Sequence, residues 1–175
     1  MPILANKLEK KQLDGLLPAL KLLSEDDSLV KKALLNQFTT LIRIVLENFS
    51  DEGYQKMVHT IFPIMGELLY DKDEGIRDRA VQVVAEMRTV VKEKENEWIM
   101  KLTLDMAHDE DEKLRESAVK LLNEMAPDMG QELCEYFIVQ ELKSLGIDNQ
   151  LNVRCAVAKN LLNVSRQIKM DFFTS

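Results

Sequence analysis

Apolar residues recur along this chain at alternating intervals of three and four. Ile76, Ala80, Val83, Val84, Met87 and Val91 fall on one stripe of a 3.6-residue period, with charged positions opposite. Leu114, Ala118, Leu121, Leu122 and Met125 repeat the stripe, as do Val153, Val157, Leu161, Leu162 and Val164 or Ile168. The period predicts amphipathic helices that bury one face, not strands. Another apolar segment precedes each stripe, at 61–69, 98–104 and 137–145, and a fourth at 16–23 precedes Val30. The pattern therefore predicts helix pairs over 13–24/28–48, 51–70/74–94, 96–108/112–126 and 129–146/150–169. Residues 2–11 are expected to add a short leading helix. Connections are brief, so neighbouring helices should run antiparallel.

The second helix of every pair opens in the same way. A polar turn is followed by an aliphatic residue, then a cation, then Ala. The aliphatic anchors are Val30, Ile76, Leu114 and Val153, spaced 46, 38 and 39 residues apart. The cations that follow them are Lys31, Arg77, Arg115 and Arg154. Pro18 and Pro63 occupy matching places in the first helices, where a ring inside a helix predicts a bend. Asp73 and Asp111 are expected N-caps. Ser50 is read as the start of the second repeat, and Asp128 with Gln131 as a capping box. One domain over 1–175 is expected, with repeats near 13–48, 51–94, 96–126 and 129–169.

Composition supports helices and narrows the chemistry. The chain is 46% hydrophobic and 30% charged, with 6 Gly and 4 Pro. Its net charge is −7, and Lys and Arg are interleaved with acids throughout. That opposes a nucleic-acid groove, which needs a basic stripe. No apolar run approaches the ~20 residues of a membrane span. Cys134 and Cys155 form no CxxC, and the N-terminus lacks a signal-peptide pattern, so a reduced, cytoplasmic or nuclear setting is expected. Both cysteines read as buried small hydrophobes; Glu132 and Glu135 should raise the Cys134 thiol. His59 reads as a helix-face residue. His108 borders the acidic run Asp109–Glu112. The Asp71/Asp73 and Asp109/Asp111 pairs fail as EF-hand loops, because Ile76 and Leu114 stand where Gly is required. No catalytic residue, metal site or cofactor is expected.

The proline, the acidic turn and the aliphatic-Arg start of the second helix resemble HEAT repeats. The segments 73–80 and 111–118 carry the resemblance best, and it covers about residues 13–168. The similarity implies an all-α fold, an α-α superhelix (HEAT-like solenoid) of about four pairs. The nearest flavour is the scaffold subunit of protein phosphatase 2A and the related regulatory subunit of protein phosphatase 4. It implies a structural ladder in which Arg77, Arg115 and Arg154 bond to Asp73, Asp111 and Asp148. It also implies that the turns grip partners, through Glu25, Asp26, Asp27, Asp71, Asp73, Asp109, Asp111 and Asp148. The expected function is a non-catalytic scaffold whose partner is a serine/threonine phosphatase catalytic subunit. A HEAT adaptor for transport or cytoskeletal assemblies is the alternative, and a helical-repeat enzyme acting on nucleic acid the remote one. A plain oligomerising fragment, using Phe172 and Phe173, is a third.

Overall fold

The computed structural model describes residues 10–48 and 51–167. Residues 2–9, Ser50, Ile168, Phe172 and Phe173, on which some expectations rest, lie outside them. The described chain is all-α, with no strand. It is the helical-repeat architecture that the hydrophobic period predicts. It divides into two compact units, Met1–Lys92 and Glu93–Ser175.

The first unit holds α1 (Lys10–Ser24), α2 (Ser28–Asn48), α3 (Asp51–Leu69) and α4 (Glu74–Arg88). They form two pairs, α1/α2 and α3/α4, with α1 against α3 and α2 against α4. α3 is the heart of this unit: Tyr54, Met57, Val58, Ile61, Phe62, Ile64, Met65, Leu68 and Leu69 are all buried. Burial at roughly 1.5–3 kcal/mol for each large side chain makes this packing the unit's main source of stability. Pro18 and Pro63 both lie within their helices, with exposed rings. Polar ties join the pairs: Lys21 Nζ donates to both Glu67 oxygens at 2.7 and 2.6 Å, and Arg79 Nε donates to Asn36 Oδ1 at 2.6 Å.

The pattern overestimates the length of α4. The helix ends at Arg88, not near 94, and Thr89 caps it with its N–H directed to the Glu86 and Met87 carbonyls. Val91 is half-buried beyond the helix. A buried Tyr54 holds the chain there: its hydroxyl accepts from the Lys92 N–H at 3.1 Å, and Lys92 Nζ lies 4.6 Å above its ring. Among the anchors, Ile76, Leu114 and Val153 are buried and Val30 is half-buried; Ala80, Ala118 and Ala156 are buried, whereas Ala33 is exposed.

The second unit holds α5 (Glu93–Ala107), α6 (Glu112–Leu133), a wide π-type turn at Cys134–Ile138, α7 (Val139–Gly146) and α8 (Leu151–Gln167). α5 pairs with α6 and α7 with α8, while α6 packs along α8. The expected break at 126–129 takes another form. The helical path continues through Pro127, and Gly130 interrupts it with φ 73° and ψ 162°. The expected capping box does not form: Gln131 Nε2 donates to Glu135 Oε1 at 2.8 Å instead. Cys134 is buried as expected, but Cys155 is exposed on α8. Leu161 and Leu162, expected in the core, are exposed too; α8 buries Val153, Ala156, Val157 and Val164.

Only glycine adopts the Gly130 backbone without strain. A Cβ at Gly130 meets no atom within 4 Å, so strain alone sets the cost of Gly130→Ala, about 1–3 kcal/mol. Gly66, inside α3, also has nothing within 4 Å of an added Cβ. Gly66→Ala should instead stabilise by about 0.4–1 kcal/mol, because only the unfolded chain loses freedom. Urea unfolding midpoints that move in opposite directions would bear this out; equal shifts would not.

Candidate functional site

The turns between paired helices carry the candidate site, and one geometry recurs in three of them. The first acid of the turn stands five residues before the anchor: Asp71, Asp109 and Asp148. Its Oδ1 accepts the backbone N–H two residues on, from Asp73, Asp111 and Gln150, each at 2.8 Å. The cation after the anchor then closes the turn from the other side. Arg77 Nη1 donates to the Asp71 and Lys72 carbonyls at 2.9 and 3.1 Å. Arg115 Nη1 reaches the Asp109 and Glu110 carbonyls at 2.8 and 2.9 Å. Arg154 Nη1 reaches the Asp148 and Asn149 carbonyls at 2.6 and 3.2 Å. These carbonyls follow the C-termini of α3, α5 and α7, where no intrahelical donor remains and a cation suits the helix dipole.

The ladder exists in part, in a register different from the expected one. Arg115 Nε and Nη2 donate to Asp148 Oδ2 and Oδ1 at 2.7 and 3.1 Å, a two-pronged pair with side chains 12% and 10% exposed. In the first unit, Lys31 Nζ plays the equivalent part on Asp71 Oδ2 at 2.7 Å. Each rung thus joins the cation of one repeat to the first acid of the next turn. Asp73 and Asp111 are not arginine partners. Their carboxylates cap α4 and α6, accepting from Gly75 and Lys113 N–H groups at 2.8 and 2.9 Å. Asp73 has a cross-repeat neighbour, but it is Ser28, whose hydroxyl donates to Oδ2 at 2.9 Å. The sequence reading missed Lys31 and Ser28. The signal was available: Asp71, Asp109 and Asp148 share one offset from their anchors, and Asp73 and Asp111 do not share it with Asp148.

The carboxylates in this network are held acidic. The hydrogen bond from Arg115 lowers the Asp148 carboxyl below the usual range, against an opposing effect of burial. Burial pushes the Asp71 carboxyl up, but the bonds from Lys31 and the Asp73 amide outweigh it and leave it lowered. Ser28 and the Gly75 amide lower Asp73. At Cys134, burial raises the thiol first, and the Glu135 charge adds to it.

The exposed carboxylates form another set. Glu25, Asp26 and Asp27 are exposed at the first turn, and Glu110 and Asp111 at the third, beside a half-buried Asp109. In the second unit, an open cleft of about 490 Å³ lies between the Ala107–Glu110 and Ser144–Gln150 segments, with Arg115 and Asp148 in its wall. His108 lines it too, with Nε2 3.2 Å from Glu141 Oε2. His59 is exposed on α3. Among the described residues, no group of three or more His, Cys, Asp or Glu is placed to hold a metal ion, and no helix is long and apolar enough to cross a membrane.

No protein-family model matches the sequence, and no curated protein matches it. Solved structures show a loose likeness. A designed armadillo repeat protein in complex with peptide (KR)4 is 20% identical, with a TM-score of 0.46 over 91% of this chain and 70% of that one. Computationally designed armadillo repeat proteins for modular peptide recognition give 18% identity and a TM-score of 0.43, over 89% and 69%. Likenesses at this level concern the helical-repeat class and do not extend to what this chain binds.

Arg115→Ala should destabilise by about 1–3 kcal/mol, because it removes a part-buried pair and leaves two turn carbonyls without a donor. Arg115→Lys should recover less than half, since an ammonium cannot serve both sides at once. A lowered folded-state pKa gives stability that is full above the unfolded value and lost as pH falls. Asp148→Asn should therefore destabilise most above the usual carboxylate range, with a penalty that shrinks as pH falls through the lowered folded-state value. A penalty that stays constant from pH 7 to pH 3 would mean that the carboxylate charge is irrelevant.

Proposed function

We propose that this protein is a non-catalytic scaffold that grips basic surfaces of partner proteins along its turns. The supporting observation is the repeated lock on the turn backbone. One aspartate and one arginine fix each of three turns from both sides, so Glu110 and Asp111 project from a rigid base; Glu25, Asp26 and Asp27 stand on the first turn, which Lys31 does not clamp in this way. A rigid base reduces the ordering cost of binding. Glu25, Asp26, Asp27, Glu110 and Asp111, with Asp109, are the contact residues in this reading. Asp71, Asp73 and Asp148 support the turns from within. An exposed ion pair contributes only about 0.2–1 kcal/mol, so several must act together. Their main effect is on association rate and orientation.

The resemblance to phosphatase scaffolds makes a serine/threonine phosphatase catalytic subunit the specific partner of this proposal. A protein of a transport or cytoskeletal assembly is the competing one. The two are separated by immobilising the chain and offering it purified phosphatase catalytic subunit. Saturable retention supports the phosphatase role, and no retention removes it. The grip is tested with a lysine- and arginine-rich peptide. Combined Asp26→Lys and Glu110→Lys should weaken its binding by about tenfold and leave the unfolding midpoint unchanged. Unchanged affinity would place the contact on another face.

A further inference from the structure

We propose that the outward face of α8 docks an amphipathic helix with acidic flanks, supplied by a partner protein. α8 buries Val153, Ala156, Val157 and Val164 within its own unit. On the opposite side Leu151, Cys155, Ala158 and Leu162 follow one another at intervals of four, three and four, and all are exposed. Leu151 is 63% exposed and Leu162 61%. Among the described residues the helix therefore has two apolar stripes and a core partner for only one. A contiguous exposed apolar run of this kind marks an interaction surface, where single exposed leucines would not. The stripe also has relief. The small residues Cys155 and Ala158 lie between two leucines, so the middle of the face is recessed and its ends protrude. An approaching helix can seat its own ridge there, with anchors in the same three-four register.

Charge selects the occupant. α8 contains Arg154, Lys159 and Arg166 and no Asp or Glu, in a chain of net charge −7. Arg154 is engaged with the turn carbonyls. Lys159 and Arg166 are exposed, and the helical period places both along the Cys155 edge of the stripe. Carboxylates beside a partner's apolar stripe would meet these cations; a basic helix would be repelled.

The experiment titrates the full chain into two labelled amphipathic peptides that share a leucine stripe. One has glutamate flanks and the other lysine flanks, and fluorescence anisotropy reports binding. The glutamate peptide should bind, more tightly at low salt, and the lysine peptide should bind at least about tenfold more weakly. Leu162→Glu should weaken the glutamate peptide by about tenfold or more. Lys159→Glu with Arg166→Glu should reverse the preference between peptides. The turn variant Glu110→Lys should leave this binding unchanged, which separates this surface from the turn grip. Equal binding of both peptides, no binding of either, or indifference to Leu162→Glu would overturn the proposal. So would a mass in light scattering that rises with protein concentration and is abolished by Leu162→Glu, since the occupant would then be a second copy.

Discussion

Arg115 performs two tasks with one planar side chain. One edge of its guanidinium closes the turn at the end of α5 by bonding two carbonyls, and another edge holds the carboxylate of the next turn. Five N–H groups in a fixed fork make this possible. The arrangement depends on spacing. The cation must follow the anchor by one residue and the acid must precede the next anchor by five, or the fork misses one of its targets. Once both are met, the turn is fixed and adjacent turns of the unit are tied together. The anchor then enters the core at a set height, and the apolar stripe of its helix faces the neighbouring pair. Lys31 illustrates the constraint by contrast. It reaches Asp71 across the repeat, yet its single ammonium makes no comparable clamp on the carbonyls of its own turn.

The helix pairs were legible in the sequence because burial imposes a period, and the period survives in Ile76 to Met87 and Leu114 to Met125 without any long-range information. The turns were legible as polar segments for a similar reason. The errors share one cause: each depended on which of two chemically adequate residues the packing would choose. Asp73 and Asp111 are as acidic as Asp71 and Asp109, but their backbone position at the start of α4 and α6 commits them to capping. Leu161 and Leu162 are as apolar as Val157, but α8 turns them away from its packed face. Val91 continues the α4 stripe by arithmetic, yet Tyr54 holds the chain at Lys92 and the helix ends first. The break expected between 126 and 129 falls at Gly130, whose non-helical backbone separates two helical stretches.

The ladder also divides the acids of this chain into two populations with opposite uses. A carboxylate already bonded to Arg115 or Lys31 has its charge compensated, and displacing that partner for an external cation would cost more than a surface ion pair returns. Asp71 and Asp148 are therefore poor contact residues, although they lie at the centre of the acidic turns. The carboxylates outside the ladder remain attractive to cations, and Glu110 lines a cleft.

The same reasoning bears on specificity. Charge at exposed positions accelerates and orients association, but affinity needs apolar area removed from water. Acidic turns alone would give a fast and weak encounter with many basic proteins. Exposed apolar residues stand close by in the sequence: Leu29 follows the first acidic turn at 83% exposure, and Ile147 precedes Asp148 at 85%. A partner that sets an apolar side chain beside each of its cations would bury these residues as it meets the acids. A partner offering charge alone would not. Discrimination among basic partners then rests on the hydrophobic residue next to each turn, while the acids determine how quickly and in what orientation the partner arrives.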